Sequence, residues 1–338
     1  LNHLRDYSSY SRKEVPMSHQ SKVVLKSGLE IPQLAIGTSA FGGLFTAVSD
    51  REVAQVVDTS IENGINFFDT APHYGKGSAE KRLGKVIKAY PRESLVISSK
   101  VGRLLVSSKG GEDPGWENSD PSVERTFDYS AYGIEKSLED SLKRLQLERL
   151  DMVFIHDPDD HADQAIEIAY PVLEKMRNQG LITAIGVGIT TTAIPTRFVH
   201  ETDIDVVLMA LRYTLLDQSA GLDLLPAALE KGVSVIAGGV FNSGILINPG
   251  KDSTFNYMPA SPEMVHRAQV IQKFLSERNS SLAQVAMQFP LRHPAISAVL
   301  VGCRSRDEVL QNIADFDTVI SEDNWLEIED FLISLPKI

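Results

Sequence analysis

The chain has 338 residues, 45 of them acidic and 33 basic, for a formal net charge of −12. A negative field of that size opposes nucleic acid and anionic membrane surfaces, both of which are recognised through positive charge. The lone cysteine, Cys303, excludes an internal disulfide, and no Cys/His cluster has zinc-site spacing, so no metal is expected. No apolar run reaches spanning length and the polar start has no signal-peptide core, which points to a cytoplasmic protein. Residues 1–21 are expected to be a leader or disordered extension, and residues 22–338 a single domain.

Two short apolar runs, 23–25 and 31–33, flank a Gly28 turn and read as a β-hairpin. Eight apolar runs follow, at 34–36, 67–68, 95–97, 152–155, 184–187, 206–211, 233–236 and 298–301. Amphipathic stretches separate most of them. The first, opened by the capping box Ser49 to Glu52, stops at Asn63-Gly64. Others span 78–89, 132–145, 164–179, 219–230, 262–277 and 305–313, and a last helix is expected in the tail 315–338. Continuous apolar strands alternating with amphipathic helices predict a parallel sheet covered on both faces, and eight units close a (β/α)8 TIM barrel. Two long segments, 102–129 and 240–259, read as loops after the third and seventh strands, at the mouth where barrel active sites lie.

Four polar side chains mark the ends of neighbouring strands. Asn66-Phe67-Phe68-Asp69 ends the second with Asp69, and Tyr74 follows in Pro72-His73-Tyr74-Gly75. Lys100 ends the third and His156 the fourth. Singly, each has an ordinary structural explanation. Together they suit hydride transfer at a C–O carbon, which needs a proton donor or acceptor on the oxygen. A tyrosine titrates near 10, and an adjacent ammonium lowers that value by favouring phenolate. A carboxylate holds the ammonium, and a histidine beside the oxygen orients the substrate.

Asn66 to Gly75 with Glu80-Lys81-Arg82-Leu83-Gly84, and Leu138-Glu139-Asp140-Ser141-Leu142-Lys143-Arg144-Leu145 through Asp151 to His156, closely resemble the two signatures of the aldo-keto reductase superfamily. The resemblance runs from about residue 22 to 315. It implies Asp69, Tyr74, Lys100 and His156 as the catalytic tetrad, with Tyr74 as general acid/base. Phe127-Asp128-Tyr129-Ser130, Arg212-Tyr213-Thr214-Leu215-Leu216 and Ala237-Gly238-Gly239-Val240-Phe241 are similar to the branch of L-fucose, L-galactose, D-threo-aldose and D-arabinose 1-dehydrogenases and pyridoxal 4-dehydrogenases. That branch oxidises a hemiacetal to a lactone, typically with NAD. An NADPH-dependent carbonyl reductase and a non-catalytic nicotinamide-binding regulatory subunit are the alternatives.

For the cofactor, the Gly-rich turn with Gly239, Val240, Asn242, Ser243 and Gly244 suits a pyrophosphate near strands seven and eight. The resemblance adds Gly302, Arg304, Ser305, Glu308 and Asn312 on the adenosine side and Tyr213 as the ring stacked on nicotinamide. Glu308 stands where Arg or Gln is usual, and a carboxylate there favours NAD over NADP. Gly188-Ile189 and Ala210 replace the residues that usually hold the nicotinamide amide. Trp116 and Asp157 are expected to meet a small sugar or aldehyde substrate. The protein is expected to act as a monomer or weak homo-oligomer.

Overall fold

Period-two alternation along each apolar run decides how the barrel is filled. In the computed structural model, which describes residues 17–111 and 113–336, the eight runs are parallel strands closed into a barrel. They are Leu34–Gly37, Phe67–Asp69, Val96–Val101, Met152–His156, Ala184–Ile189, Val206–Ala210, Ser234–Gly238 and Ile296–Gly302. Ala35, Phe67, Val96, Met152, Phe154, Leu208, Ile236 and Ala298 pack together as one interior cluster. Their neighbours Leu34, Ile36, Phe68, Ile97, Val153 and Ile155 face the helices in a second, larger core. Side chains two positions apart share a face. The inward row therefore continues from Phe67 to Asp69, from Val96 through Ser98 to Lys100, and from Phe154 to His156.

The expected hairpin forms, Lys22–Val24 against Glu30–Pro32. Leu25 and Ile31 belong to the interior cluster, so this hairpin plugs the barrel at the end away from the strand C-termini. Residues 1–16 of the expected extension lie outside the described residues. Residues 17–21 pack on the barrel: Met17 lies against the core, and His19 joins Asp317 Oδ2 at 2.5 Å and the Asn63 carbonyl at 3.0 Å.

Helix Asp50–Glu62 carries the expected capping box. The stretch expected as one helix over 164–179 is broken: Ala165–Ala169 is a π turn leading into Tyr170–Asn178. Pro171 has no N–H to give the preceding turn, which is a sufficient cause. Helices Ala193–Glu201 and Leu282–Gln288 were not expected. The first is dense in β-branched residues and holds Pro195, and the second is short. Its signal was Ser281 with Gln284, which form a capping box.

The segment 102–129 is a correction to the reading as a loop. Arg103–Ser107 pairs antiparallel with Val123–Phe127. The excursion between them is tied to the loop after the first strand: Glu117 N–H donates to the Gly43 carbonyl at 2.9 Å, and Phe45 N–H to that of Gly115 at 2.8 Å.

Behind the third strand, fully buried Glu80 accepts from Ser99 Oγ and from Arg144 Nε, each at 2.6 Å. Removing the cation leaves a buried carboxylate without its counter-charge. Arg144→Met is expected to destabilise the protein by about 3 kcal/mol. Urea unfolding checks this: the midpoint falls with an unchanged slope, and Glu80→Leu in the same chain recovers most of the loss.

Candidate active site

Adjacent strand registers bring the tetrad together. Asp69 pairs with Ser98, and Lys100 stands two positions further on the same inward row. Lys100 Nζ donates to Asp69 Oδ2 at 2.5 Å, to the Thr70 carbonyl at 2.9 Å and to Tyr74 Oη at 3.1 Å. Ser98 Oγ donates to Asp69 Oδ1 at 2.6 Å. Asp69 and Lys100 are 1% and 2% exposed, so their charges persist through one another and these added hydrogen bonds. Burial pulls the Lys100 ammonium down, but Asp69 and then Tyr74 outweigh it and the net direction is up. Burial raises the Tyr74 phenol, with Lys100 acting against that rise.

Tyr74 owes its place to a close backbone approach. A Cβ on Gly42 would lie 2.6 Å from the Tyr74 carbonyl carbon and the Gly75 nitrogen, so the turn Ser39–Gly42 packs directly on the Tyr74 backbone. Buried His156 is driven well below the usual imidazole range, first by burial and then by Arg103, Lys100 and His73. It is therefore neutral and able to donate. Its Nε2 lies 3.5 Å from Asp157 Oδ2, and its Nδ1 has no hydrogen-bond partner among the described residues. Tyr129 Oη donates to the carbonyls of His156 and Asp157 at 2.6 and 2.9 Å, fixing the strand end where Asp157 adopts φ +43°.

The hairpin supplies the substrate side. Arg103 bonds the Asp157 carboxylate through Nη2, and its Nη1 lies 3.1 Å from His73 Nδ1. Arg125 clamps Asp113 with two 2.8 Å bonds and donates to the His73 carbonyl. Trp116 stacks on Tyr74, ring centres 5.8 Å apart at 17°. The structure thus brings Trp116 and Asp157 to the tetrad, although the Asp157 carboxylate is already bound by Arg103. His73, Arg103 and Arg125 were missed. His73 directly precedes Tyr74, a signal within reach, whereas the two arginines come together only once the hairpin is known.

A cleft of about 250 Å³ opens beside Asp69 and Tyr74. Gly239, Val240, Ser243, Gly244, Gly302 and Arg304 line it, with Ala210, Gly238 and Leu300. A Cβ on Gly244 or Gly302 would meet nothing within 4 Å, so the space continues past both. Other expected cofactor residues stand behind this wall. Asn242 is fully buried, its Nδ2 making a long 3.5 Å bond to the Leu211 carbonyl. Ser305 caps helix Arg306–Phe316 by accepting from Glu308 N–H at 3.2 Å. Glu308 Oε2 accepts from Arg304 N–H at 2.7 Å, and Asn312 Nδ2 donates to Cys303 Sγ at 3.2 Å. Cys303 is a packed thiol, pushed up to about 12 by burial.

Tyr213 is not brought to the cleft, a correction to its expected stacking role. Leu211 at φ +71° turns the chain away from the strand line. The Tyr213 ring ends in the helix-side core, stacked on Phe289 at 5.4 Å and edge-on to His293 at 5.8 Å.

A larger cavity of about 530 Å³ lies at the plugged end, lined by Lys22, Glu30, Arg149 and Asp151 among others. It is remote from the tetrad, and Asp151 there already bonds Arg92 at 2.8 Å and Ile97 N–H at 2.7 Å. Among the described residues no group of three or more His, Cys, Asp or Glu is placed to hold a metal, and no helix is long and apolar enough to cross a membrane.

A closed parallel barrel carrying Asp, Tyr, Lys and His at the ends of its second to fourth strands defines a barrel oxidoreductase that acts on CH–OH and carbonyl groups. The Aldo/keto reductase family model matches residues 33–333, and the chain belongs to that family. Its members use nicotinamide cofactors. The chain is 36% identical over 329 residues to a D-threo-aldose 1-dehydrogenase of a Pseudomonas species, covering 95% of this chain and all of that protein. It is 34% identical to a pyridoxal 4-dehydrogenase of Microbacterium luteolum, covering 90% and 95% of the two chains. An L-galactose dehydrogenase of Arabidopsis thaliana is 32% identical over 85% of each. An aldo-keto reductase from Bacillus halodurans, 23% identical, shares the fold at a TM-score of 0.76 over 93% of this chain and 96% of its own.

Two histidines, His293 buried and His73 half-buried, make a pH prediction. Burial lowers His293 to about 4; burial, then Arg103 and Arg125, lowers His73 to about 3. The unfolded chain binds these protons near 6.5, so the stabilisation is complete above that pH and is lost as pH falls toward 4. For His293, 2% exposed, the loss is about 3 kcal/mol. Urea midpoints between pH 7 and 5 are expected to fall, and His293→Asn, which keeps an acceptor for Ala295 N–H, should flatten that fall.

Proposed function

We propose that the protein oxidises the anomeric CH–OH of an aldose hemiacetal, of L-fucose, L-galactose or D-arabinose type, or the hemiacetal of pyridoxal, to the lactone with NAD. The observation that carries this is the ammonium of Lys100 held between Asp69 and the Tyr74 hydroxyl at the edge of the cleft. The three relatives named as dehydrogenases of such compounds, at 32–36% identity, support the substrate class.

The cleft suits a dinucleotide. Ala210 and Gly238 leave a flat floor beside Asp69 and Tyr74, while Gly239, Val240, Ser243 and Gly244 offer backbone toward a pyrophosphate. Gly302 and Arg304 would hold the adenosine side, with Ser305, Glu308 and Asn312 shaping that end from behind. When bound, the nicotinamide supplies the hydride acceptor. Tyr74 takes the proton of the reacting hydroxyl at its phenolic oxygen. Lys100 favours the phenolate, Asp69 keeps Lys100 charged and in place, and neutral His156 donates toward the substrate oxygen.

The NAD preference rests on Glu308. Its carboxylate occupies the Arg304 N–H at the opening of a helix whose first turn also holds Asp307. A ribose hydroxyl can donate to that carboxylate, whereas a 2′-phosphate would be repelled by it.

Absorbance of reduced nicotinamide tests the whole reading, with NAD or NADP and a panel of L-fucose, L-galactose, D-arabinose and pyridoxal. Turnover is expected with NAD, and Tyr74→Phe should lower it by about 10²–10⁴. NADPH oxidation by simple aldehydes with an inert sugar panel would favour a carbonyl reductase, and cofactor binding with no turnover a regulatory subunit. Because Tyr74 must lose its proton, kcat/KM for oxidation should rise toward alkaline pH. Lys100→Met removes the charge that opposes the raised phenol, so the rise should move to still higher pH. An unmoved profile would refute that role for Lys100.

A further inference from the structure

His73 has no part in the roles above, yet it faces the proton-transfer group. Its ring centre lies 6.2 Å from that of Tyr74, 5.8 Å from that of His156 and 5.2 Å from that of Trp116, edge-on to all three. Arg103 Nη1 is 3.1 Å from Nδ1. A guanidinium has donors only, so Nδ1 accepts, and on a neutral ring the proton sits on Nε2. The ring is kept neutral by burial and by the two neighbouring arginines.

The anchoring is complete on every other side. Arg103 is fixed by the Asp157 carboxylate and lies over the Phe127 ring at 4.8 Å. Arg125 donates to the His73 carbonyl at 3.0 and 2.9 Å, which holds the backbone. Nε2–H alone has no protein acceptor among the described residues, and it is not sealed away as His156 Nδ1 is. A donor whose tautomer is set by Arg103, on a ring 6.2 Å from that of Tyr74, suits an oxygen supplied by the substrate.

We propose that His73 Nε2–H is a substrate-orienting donor that binds the hydroxyl oxygen on the carbon next to the reacting one, and so selects α-hydroxylated substrates. The assignment rests on Tyr74 as the proton-transfer group but not on which sugar is turned over, and it narrows the proposed substrates to the aldoses, because pyridoxal has no hydroxyl on that carbon.

A pair of aldehydes that differ only in that hydroxyl, lactaldehyde and propanal, tests it in the reductive direction. His73→Phe keeps the ring packing against Trp116 and removes the donor. It is expected to lower kcat/KM on lactaldehyde by about ten- to a hundredfold, mostly through KM, and on propanal by less than about threefold. His73→Gln, whose amide places a donor near Nε2, should recover part of the preference. Titration of NADH by protein-fluorescence quenching, expected within about twofold of the parent protein, confirms that the site is intact. Equal losses on both aldehydes, or an undiminished preference in His73→Phe, would overturn the proposal. If no aldose is oxidised while the preference still collapses in His73→Phe, the sugar reading fails and the His73 assignment stands.

Discussion

Everything at the mouth of this barrel depends on one buried ion pair, Lys100 with Asp69. Taking two charges out of water costs several kcal/mol for each, on the order of what a close contact returns, so such a pair is a poor source of stability. Its value is in fixing positions. Lys100 has three acceptors within 3.1 Å, two of them Asp69 and Tyr74, and Asp69 has Ser98 on its second oxygen. These groups come from two neighbouring strands and the turn after the first of them. A register slip of one residue would turn Lys100 outward among the helices. The pair and the barrel therefore specify each other.

A second layer of charge comes from the hairpin that leaves the third strand. Arg103 joins Asp157 to His73, and Arg125 joins Asp113 to the backbone of His73. Each arginine uses the fork of its guanidinium to hold two groups that come from different segments. The same two cations, after burial, keep His73 neutral, and Arg103 does the same for His156. Two imidazoles on the substrate side are thus available as hydrogen-bond donors without becoming charged, and the tetrad keeps a single cation, Lys100, next to the phenol.

Legibility in the sequence followed the periodicity. Eight apolar runs, the capping box at Ser49 and the N-terminal hairpin were readable because each is a local pattern with a local cause. Asp69, Lys100 and His156 were readable for the same reason, since a polar residue that ends an apolar run stands at the strand's C-terminus. The hairpin 103–127 was not. Its strands are half polar, its connecting excursion is long, and its pairing is fixed by contacts with the loop after the first strand. Tyr213 failed differently: motif spacing placed it at a strand end, but the left-handed backbone at Leu211 sends the ring into the core. Ser305, Glu308 and Asn312 follow Gly302 and Arg304 of the cleft wall, yet spacing alone could not say that their side chains would be engaged with backbone N–H groups at the helix start and with Cys303.

The division of labour around the barrel follows from side-chain size. Strands two and four end in Asp69 and His156, and strand three carries Lys100 one residue before its end, so that charge and hydrogen bonds fill this side. Strands six to eight end in Ala210, Gly238 and Gly302, which leave theirs empty. A flat ring can lie where no side chain projects, and that space adjoins Asp69 and Tyr74, which line the same cleft. At the opposite end Leu25 and Ile31 close the interior. The apolar plug and the inward row of Phe67, Val96 and Phe154 lie between that end and the pair of Lys100 with Asp69. The buried pair of Lys100 with Asp69 thus rests on an apolar layer that separates it from Asp151, which stays paired with Arg92 at the other end.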